Sequence, residues 1–257
     1  MSPWWREELS VQLAPAAVTV VRRSRGWRRR ELARHALSIT GVQPTGWHDA
    51  VEALGAHLAA QRSGNASLRI TLRSNFVRYL VLPLVGKLSE PDALIFAQQS
   101  FFDLYGAAAQ QWAVCLNAPA PGLPRIAAAT EQALIEALRE QARRLRFHID
   151  SVRPILSAAV QDLARVDGNY TGWLAVVDAG HSCVARFSAG ECMTIREARY
   201  SDCPERHLLT QLEQDALCAG LEPGESDLYV HSASPFEHAT LHPHGWRASP
   251  LPVWSLA

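Results

Sequence analysis

The sequence has few cysteines, and none of them is paired at metal-binding spacing. The five are scattered along the chain: Cys115, Cys183, Cys192, Cys203 and Cys218. No two of them form a Cys-x-x-Cys motif, so neither a zinc site nor a redox pair of that type is predicted. An odd number of dispersed thiols is typical of a reducing compartment, which makes us expect an intracellular protein.

The sequence also lacks an excess of charge of either sign and lacks a long apolar run. Its 25 basic and 25 acidic residues cancel, so the chain as a whole has no net attraction to nucleic acid or anionic lipid. The apolar stretch 79–85 is far shorter than the roughly 20 residues of a membrane-spanning helix, and no signal-peptide core precedes it. We therefore expect a soluble protein whose contact with a membrane would have to come through a partner.

What the sequence does contain is enough apolar material for a folded core. Of its 257 residues, 48% are hydrophobic and 19% are charged, which excludes a disordered chain. Valine-rich runs around Ala14-Pro15-Ala16 predict a hairpin, and the run Glu31–Ile39 predicts a third strand that could pair with it. Strands and helices alternate after this run. At Asp167-Gly168-Asn169 the order begins again with strands, and the continuous apolar run GWLAVVDAG that follows predicts a buried central strand. This pattern predicts an α/β fold of two similar halves, 1–166 and 167–257.

Two helix starts can be predicted from capping residues. Ser89 is followed by Pro91 and by an acid, as is common in the first turn of a helix, and Gly106 is expected to end that helix. Thr130 is expected to cap the next helix by the same reasoning.

One turn has residues that suit nucleotide binding. Asp178-Ala179-Gly180 lies between two apolar strands, where backbone N–H groups can hold a phosphate and the carboxylate can hold a metal ion. The same residues also fit an ordinary hairpin turn that uses glycine for its backbone freedom. The first hairpin should form the other half of such a phosphate clamp. Its turn, Gln12–Ala16, has no glycine, acid or hydroxyl, and Pro15 removes a backbone donor, which weighs against ATP hydrolysis.

A basic run and a histidine pair are the remaining candidate sites. Seven arginines and Trp27 lie within 22–34, where they could contact the phosphates of nucleic acid or lipid headgroups. A solvated hairpin whose arginines alternate with core residues explains the same run. His242-Pro243-His244 has no third ligand close by in sequence, so exposed loop histidines are favoured over a metal site.

The segment 72–84, LRSNFVRYLVLPL, is similar to a stretch in the cytoplasmic domain of the type II secretion protein GspL. The related type IV pilus protein PilM shares the actin-like ATPase fold with it. Residues 172–188, GWLAVVDAGHSCVARFS, look like the second phosphate turn of these proteins. The resemblance covers roughly 8–235 in the order of elements and is specific at 68–84 and 172–188.

This resemblance implies an α/β protein of the actin-like ATPase fold, with two ribonuclease H-like halves and reduced insert subdomains. It implies a cytoplasmic scaffold of a type IV pilus or type II secretion inner-membrane platform. The expected partners are the cytoplasmic tail of a bitopic inner-membrane protein, PilN-like or GspM-like, and the assembly ATPase. Arg78 and Tyr79 are expected to contribute to the partner surface. Whether the chain forms a homodimer stays open.

The departures from the family concern the nucleotide. The first turn lacks the usual acid and glycines, and the late segment Val230–Ser234 lacks the glycine pair of the adenosine-binding loop. Only Asp178 and Gly180 remain as residual nucleotide-binding residues, so we expect no catalytic residue, no metal site and no enzyme activity. Two alternatives stay open: an ATPase or kinase that binds ATP with magnesium, and a nucleic-acid-binding protein that uses the basic run at 22–34.

Overall fold

The computed structural model describes residues 7–24, 30–39, 46–61, 66–83, 88–117, 124–222, 226–232 and 234–252. The strands in this part of the chain are β1 (Glu8–Leu13), β2 (Ala17–Arg23), β3 (Glu31–Ser38), β4 (Ser67–Leu72), β5 (Arg78–Leu82), β6 (Trp112–Leu116), β7 (Arg125–Glu131), β8 (His148–Pro154), β9 (Gly172–Asp178), β10 (His181–Ser188), β11 (Glu191–Arg199), β12 (Ser226–Ser232) and β13 (Trp246–Pro250). The α-helices are α1 (His48–Ala60), α2 (Glu90–Tyr105), α3 (Gln132–Arg144), α4 (Ile155–Val166) and α5 (Pro204–Cys218). Short 3-10 helices cover Ser74–Phe76, Gly106–Gln111 and His238–His244.

The chain packs into two compact units. The first contains the described residues of 1–77 and 130–155, and the second contains those of 78–129 and 156–255. The predicted boundary after residue 166 stays a prediction. The two five-stranded sheets do divide there, but the compact units group 78–129 with the later sheet.

The sheet of the first unit has the strand order β3-β2-β1-β4-β8. The predicted opening hairpin and third strand are confirmed, because β1, β2 and β3 pair antiparallel in sequence order. β4 and β8 then add in parallel. Helices α1 and α3 pack against each other and contact β2 and β8, respectively. Buried leucine and valine side chains of β1 and β2 alternate with polar ones, as expected for strands of a layered sheet.

The second unit contains a sheet of the same design, with the order β11-β10-β9-β12-β13. β9, β10 and β11 pair antiparallel, and β12 and β13 add in parallel. All seven residues of β9 are buried, which confirms the predicted central strand. Its core includes two tryptophan rings in edge-to-face contact, Trp173 and Trp246, with Leu208 and Leu212 of α5 packed in the same cluster.

The second unit also contains the insert, a three-stranded sheet in the order β5-β7-β6 with helix α2 beside it. The predicted start of α2 is confirmed, because the Ser89 hydroxyl oxygen accepts the Asp92 N–H at 3.3 Å and Gly106 follows the last helical residue. β5 packs against β11 of the larger sheet. This contact positions Tyr79 of β5 beside Glu197 of β11.

The expected cap at Thr130 is wrong. The Thr130 hydroxyl donates a hydrogen bond to the Phe76 carbonyl at 2.7 Å, and β7 continues through Glu131 before α3 begins. Glu131 instead accepts the indole N–H of Trp47 at 2.6 Å, so a tertiary contact holds the residue at the helix start. None of the helices among the described residues combines the length and the apolar character needed to cross a membrane.

Candidate functional site

The first hairpin turn has little capacity to hold a phosphate. The N–H of Ala14 already donates to the carbonyl of Ala17 at 3.0 Å, and Pro15 has no N–H. Among the three turn residues only Ala16 therefore has a backbone donor left to offer. A phosphate-binding turn needs several converging N–H groups, so this turn is closed by its own geometry as well as by its composition.

An arginine lies beside this turn, which the sequence analysis missed. The guanidinium of Arg73 donates to the side-chain oxygen of Gln12 at 3.3 Å, and the backbone N–H of Arg73 donates to the carbonyl of Leu13 at 3.0 Å. Arg73 is 61 residues away from Gln12, and the parallel pairing of β1 with β4 brings them together. The turn therefore has a positively charged neighbour, although Arg73 is itself buried.

The second turn is a tight hairpin between β9 and β10. Asp178 and His181 are directly opposite each other, and Gly180 has a φ of 69°, in the left-handed region that favours glycine. Tyr200 ties the turn to the end of β11, because its N–H donates to the Gly180 carbonyl at 3.1 Å and its hydroxyl donates to the Asp178 carbonyl. The side chain of Asp178 is buried.

A buried carboxyl–imidazole pair lies next to this hairpin. Nε2 of His181 is 3.9 Å from Oε1 of Glu197, and the two side chains are only 4% and 12% exposed. The backbone N–H of Tyr79 donates to Oε2 of the same carboxyl at 3.3 Å. The packing of β5 on β11 thus brings Tyr79, Glu197 and His181 into one contact.

Burial sets the charge of this pair. Burial raises the pKa of Glu197 to about 7, although the positive charge of Arg78 and the N–H of Tyr79 both act to lower it. Burial also lowers the pKa of His181 to about 4, and Arg78 acts in the same direction while Asp178 opposes it. At neutral pH the imidazole is therefore uncharged, and the carboxyl is close to half protonated.

Four residues were predicted from the sequence as site residues, and all four lie in the second unit. Arg78 and Asp178 both act electrostatically on His181, so the structure brings the two predicted groups into one neighbourhood. Tyr79 is 4% exposed, and burial raises the pKa of its hydroxyl well above the usual range. A part played by Tyr79 in partner binding would have to be indirect. The assignment of these residues to a partner surface, and of Asp178 and Gly180 to a nucleotide, stays a prediction.

Glu197, His181 and Tyr200 were not predicted from the sequence as members of this neighbourhood. The one available signal was weak: Glu197 is an acid within a strand, β11, that runs next to a buried strand. Strand alternation alone could not show that β5 would cover it.

The basic run is partly neutralised where the structure describes it. Arg22 forms a two-point ion pair with Glu7, with an Nε–Oε2 distance of 2.6 Å, and Arg34 pairs with Glu31 at 2.9 Å. Arg23 is buried. Four other residues of the predicted basic run lie outside the described residues: Arg25, Trp27, Arg28 and Arg29. The pairing reduces the positive charge that this run presents to a nucleic acid.

Histidines near the end of the chain do not gather into a metal site. Among the described residues, no group of three or more His, Cys, Asp or Glu side chains could hold a metal ion. His242 and His244 are exposed, and Nε2 of His242 is 3.2 Å from the Ala248 carbonyl. In the late segment, β12 ends at Ser232, and Ala233 lies outside the described residues.

Comparison of the whole chain with known structures identifies its fold. A protein of Bacteroides thetaiotaomicron with actin-like ATPase fold and unknown function matches over 97% of this chain and 94% of its own, with a TM-score of 0.67 at 11% identity. The chain has the actin-like ATPase fold. The repeated sheet design of β1–β4 with β8 and of β9–β13 agrees with this result and confirms the fold expected from the sequence.

Two further structures share the fold. The PilM–PilN type IV pilus biogenesis complex matches over 97% of this chain and 89% of the other, with a TM-score of 0.70 at 12% identity. The cytoplasmic domain of EpsL, an inner-membrane component of the type II secretion system of Vibrio cholerae, matches over 96% and 90%, with a TM-score of 0.60 at 12% identity. No protein-family model and no curated protein sequence matches the chain. At identities this low, the structural matches establish the fold but not the function, which is argued from the site.

Proposed function

We propose that this protein is a non-catalytic scaffold of a type IV pilus or type II secretion inner-membrane platform. In this role it binds the cytoplasmic tail of a bitopic inner-membrane protein, PilN-like or GspM-like, and contacts the assembly ATPase. The likeness to the PilM–PilN complex and to the EpsL cytoplasmic domain supports the assignment to this kind of assembly.

The geometry of the first hairpin turn is the observation that supports a non-catalytic role. Its backbone N–H groups are absent at Pro15 and engaged at Ala14, so it cannot wrap around a phosphate. An actin-like protein that hydrolyses ATP must hold the terminal phosphates firmly during the reaction, because phosphoryl transfer depends on positioning and charge stabilisation. We infer that a fold whose first turn no longer suits a phosphate is retained for the surfaces with which it binds partners.

The partner can be tested directly. The tagged chain is purified from detergent-solubilised membranes, and the co-purifying proteins are identified by mass spectrometry. We expect a single-span inner-membrane protein of a pilus or secretion system, and a synthetic peptide of its cytoplasmic tail should bind the purified chain in fluorescence anisotropy. Recovery of no such protein, or a tail peptide that does not bind, contradicts the proposal.

Nucleotide binding is the alternative that one observation favours. The second turn keeps Asp178 and Gly180 in a tight hairpin, so we also test Mg-ATP. A ligand at about 100 times its Kd stabilises the folded state by about 2.7 kcal/mol, which would raise the melting temperature by several degrees. We expect no rise for the native chain. A rise that the Asp178→Asn variant loses would replace the scaffold proposal with a nucleotide-dependent one.

Nucleic-acid binding through the basic run at 22–34 is the third candidate function, and it can be tested separately. Binding of an oligonucleotide through arginines would weaken steeply as salt rises, because each phosphate contact releases counterions. We expect no binding even at low salt, in line with the ion pairs of Arg22 and Arg34.

A further inference from the structure

Helix α2 of the insert has an exposed apolar face that the proposed function does not use. Ile95, Phe96 and Phe102 lie on this face and are 62%, 44% and 37% exposed. Leu104 and Tyr105, in the last turn of the helix, are 65% and 40% exposed. The opposite stripe of the helix buries the small side chains of Ala93 and Ala97 with Phe101. Large apolar residues therefore face solvent on a helix whose inward contacts are mostly made by alanine. Clusters of this kind mark interaction sites.

A groove runs along this face. It has a volume of about 380 Å³ and lies between α2 and the 3-10 helix that follows it, lined by Ile95, Phe102, Ala109 and Trp112 with glutamine side chains at its rim. The Trp112 ring is held in place by Phe101 and Tyr105, at centroid distances of 6.0 and 5.0 Å. The groove therefore has an apolar wall and a fixed aromatic end.

Every charged side chain of α2 is acidic. α2 carries three carboxylates, Glu90, Asp92 and Asp103, and no basic residue. Glu90 is paired with Arg125 at 2.9 Å, whereas neither Asp92 nor Asp103 forms an ion pair with any described residue. These two carboxylates lie eleven residues apart, about 16 Å along the helix axis at 1.5 Å per residue. They flank the apolar face at both ends.

This charge pattern selects among the possible occupants. Antiparallel pairing with a second copy would bring Asp92 opposite Asp103 of the other copy, and parallel pairing would bring each acid opposite itself, so both arrangements are repulsive. An anionic membrane surface would repel the same carboxylates. A helix with an apolar stripe and a basic residue near each end would place apolar side chains in the groove and pair its charges with the two carboxylates.

We propose that the α2 face, with its groove at Ile95, Phe102 and Trp112, docks an amphipathic basic helix of another protein. The apolar stripe of that helix covers Ile95 and Phe102, which are two turns apart on α2, and its Lys or Arg residues reach Asp92 and Asp103. This docking surface does not depend on the pilus or secretion assignment, because it rests on α2 and the groove beside it.

The test uses two synthetic helices of about 15 residues with the same leucine stripe, one flanked by lysine and the other by glutamate. Binding to the intact chain is measured by fluorescence anisotropy. We expect the lysine peptide to bind about tenfold or more tightly than the glutamate peptide, and the preference should shrink as salt rises. The Asp92→Lys, Asp103→Lys double variant should reverse the preference.

Matched surface variants locate the site. Ile95→Ser and Phe102→Ser should each weaken the lysine peptide about tenfold, because each removes apolar surface that the complex would bury. Leu217→Ser is the control, since Leu217 is 76% exposed on α5 and its loss should change nothing. Circular dichroism melts of all variants show whether each remains folded.

Three results would overturn the proposal. The first is equal binding of the two peptides, or binding that the charge-reversed double variant leaves unchanged. The second is a dimer in sedimentation velocity that Ile95→Ser abolishes, which would assign the face to a second copy. The third is co-sedimentation with vesicles of phosphatidylglycerol and phosphatidylethanolamine that is lost in the same variant, which would assign the face to a membrane.

Discussion

Replacing Glu197 with glutamine should make the protein more stable at high pH but not at low pH. In the folded chain, burial raises the pKa of Glu197 from 4.5 to about 7. The folded state therefore holds this proton more tightly than the unfolded state does. The stabilisation that follows is fully present below pH 4.5 and is lost as the pH rises to about 7. Glutamine has no charge to desolvate, and its side-chain oxygen can still accept the N–H of Tyr79.

The expected magnitude follows from the two pKa values. Each unit of difference between the folded and unfolded pKa values corresponds to about 1.4 kcal/mol of unfolding free energy. At pH 5, which is about half a unit above the unfolded pKa, the first part of this free energy has already been lost. Between pH 5 and pH 8 the native chain should therefore lose about 2–3 kcal/mol of unfolding free energy relative to Glu197→Gln. His181 changes in the opposite sense, because burial lowers its pKa from 6.5 to about 4 and its contribution grows as the pH rises across that range. Both proteins contain His181, so its contribution largely cancels in the comparison.

The measurement is urea unfolding of the native chain and of Glu197→Gln at pH 5, 6, 7 and 8. The groups that interact with this carboxyl are unchanged in the variant; they include Arg78, His181, Tyr79, Tyr105 and Cys183. Glu213→Gln, an exposed acid on α5, serves as the control and should show no pH-dependent difference. A difference between native and Glu197→Gln that is the same at pH 5 and pH 8 would refute the argument that burial controls this carboxyl.

Two further predictions concern stability. Arg125→Met should cost about 1–2 kcal/mol, because the variant loses the hydrogen bonds of a buried guanidinium to the Asn117 carbonyl and to Glu90, whose own side chain is 60% exposed. Arg143→Met on the exposed face of α3 should cost less than about 0.5 kcal/mol, and urea midpoints of the two variants give the comparison. Gly172→Ala should be strongly destabilising, since its φ is 151° and an added Cβ would lie 2.5 Å from a backbone oxygen. Gly106→Ala should cost about 2 kcal/mol, because no atom lies within 4 Å of the added Cβ but the φ of 66° and ψ of −149° belong to a region that L residues rarely adopt. Equal melting temperatures within either pair would contradict the respective prediction.

Local patterns in the sequence were sufficient for most elements of the fold. Valine-rich runs around Ala14-Pro15-Ala16 predicted the opening hairpin, and Ser89 predicted the start of α2 through a capping bond that forms within one turn. The apolar run of β9 predicted a central strand. These features could be predicted because each depends on residues that are close in sequence, where propensity and hydrogen bonding act locally.

The composition of the first turn also predicted that this turn is poorly suited to a phosphate. A proline and the absence of glycine at Gln12–Ala16 indicated a turn that cannot hold phosphate, and the structure adds that Ala14 uses its own N–H within the turn. Gly180 was predicted to serve its turn through backbone freedom, and its φ of 69° agrees with that interpretation.

Tertiary structure alone decided which side chains meet and which of them are charged. The sequence did not indicate that Arg73 lies beside Gln12, that Thr130 bonds to Phe76 rather than capping α3, or that Glu197 is covered by β5. Each contact joins residues that are far apart in the chain, so its formation depends on how strands pair and pack. The pKa of Glu197 then follows from the water that this packing removes, and desolvation is a property of the folded surroundings that no residue carries by itself.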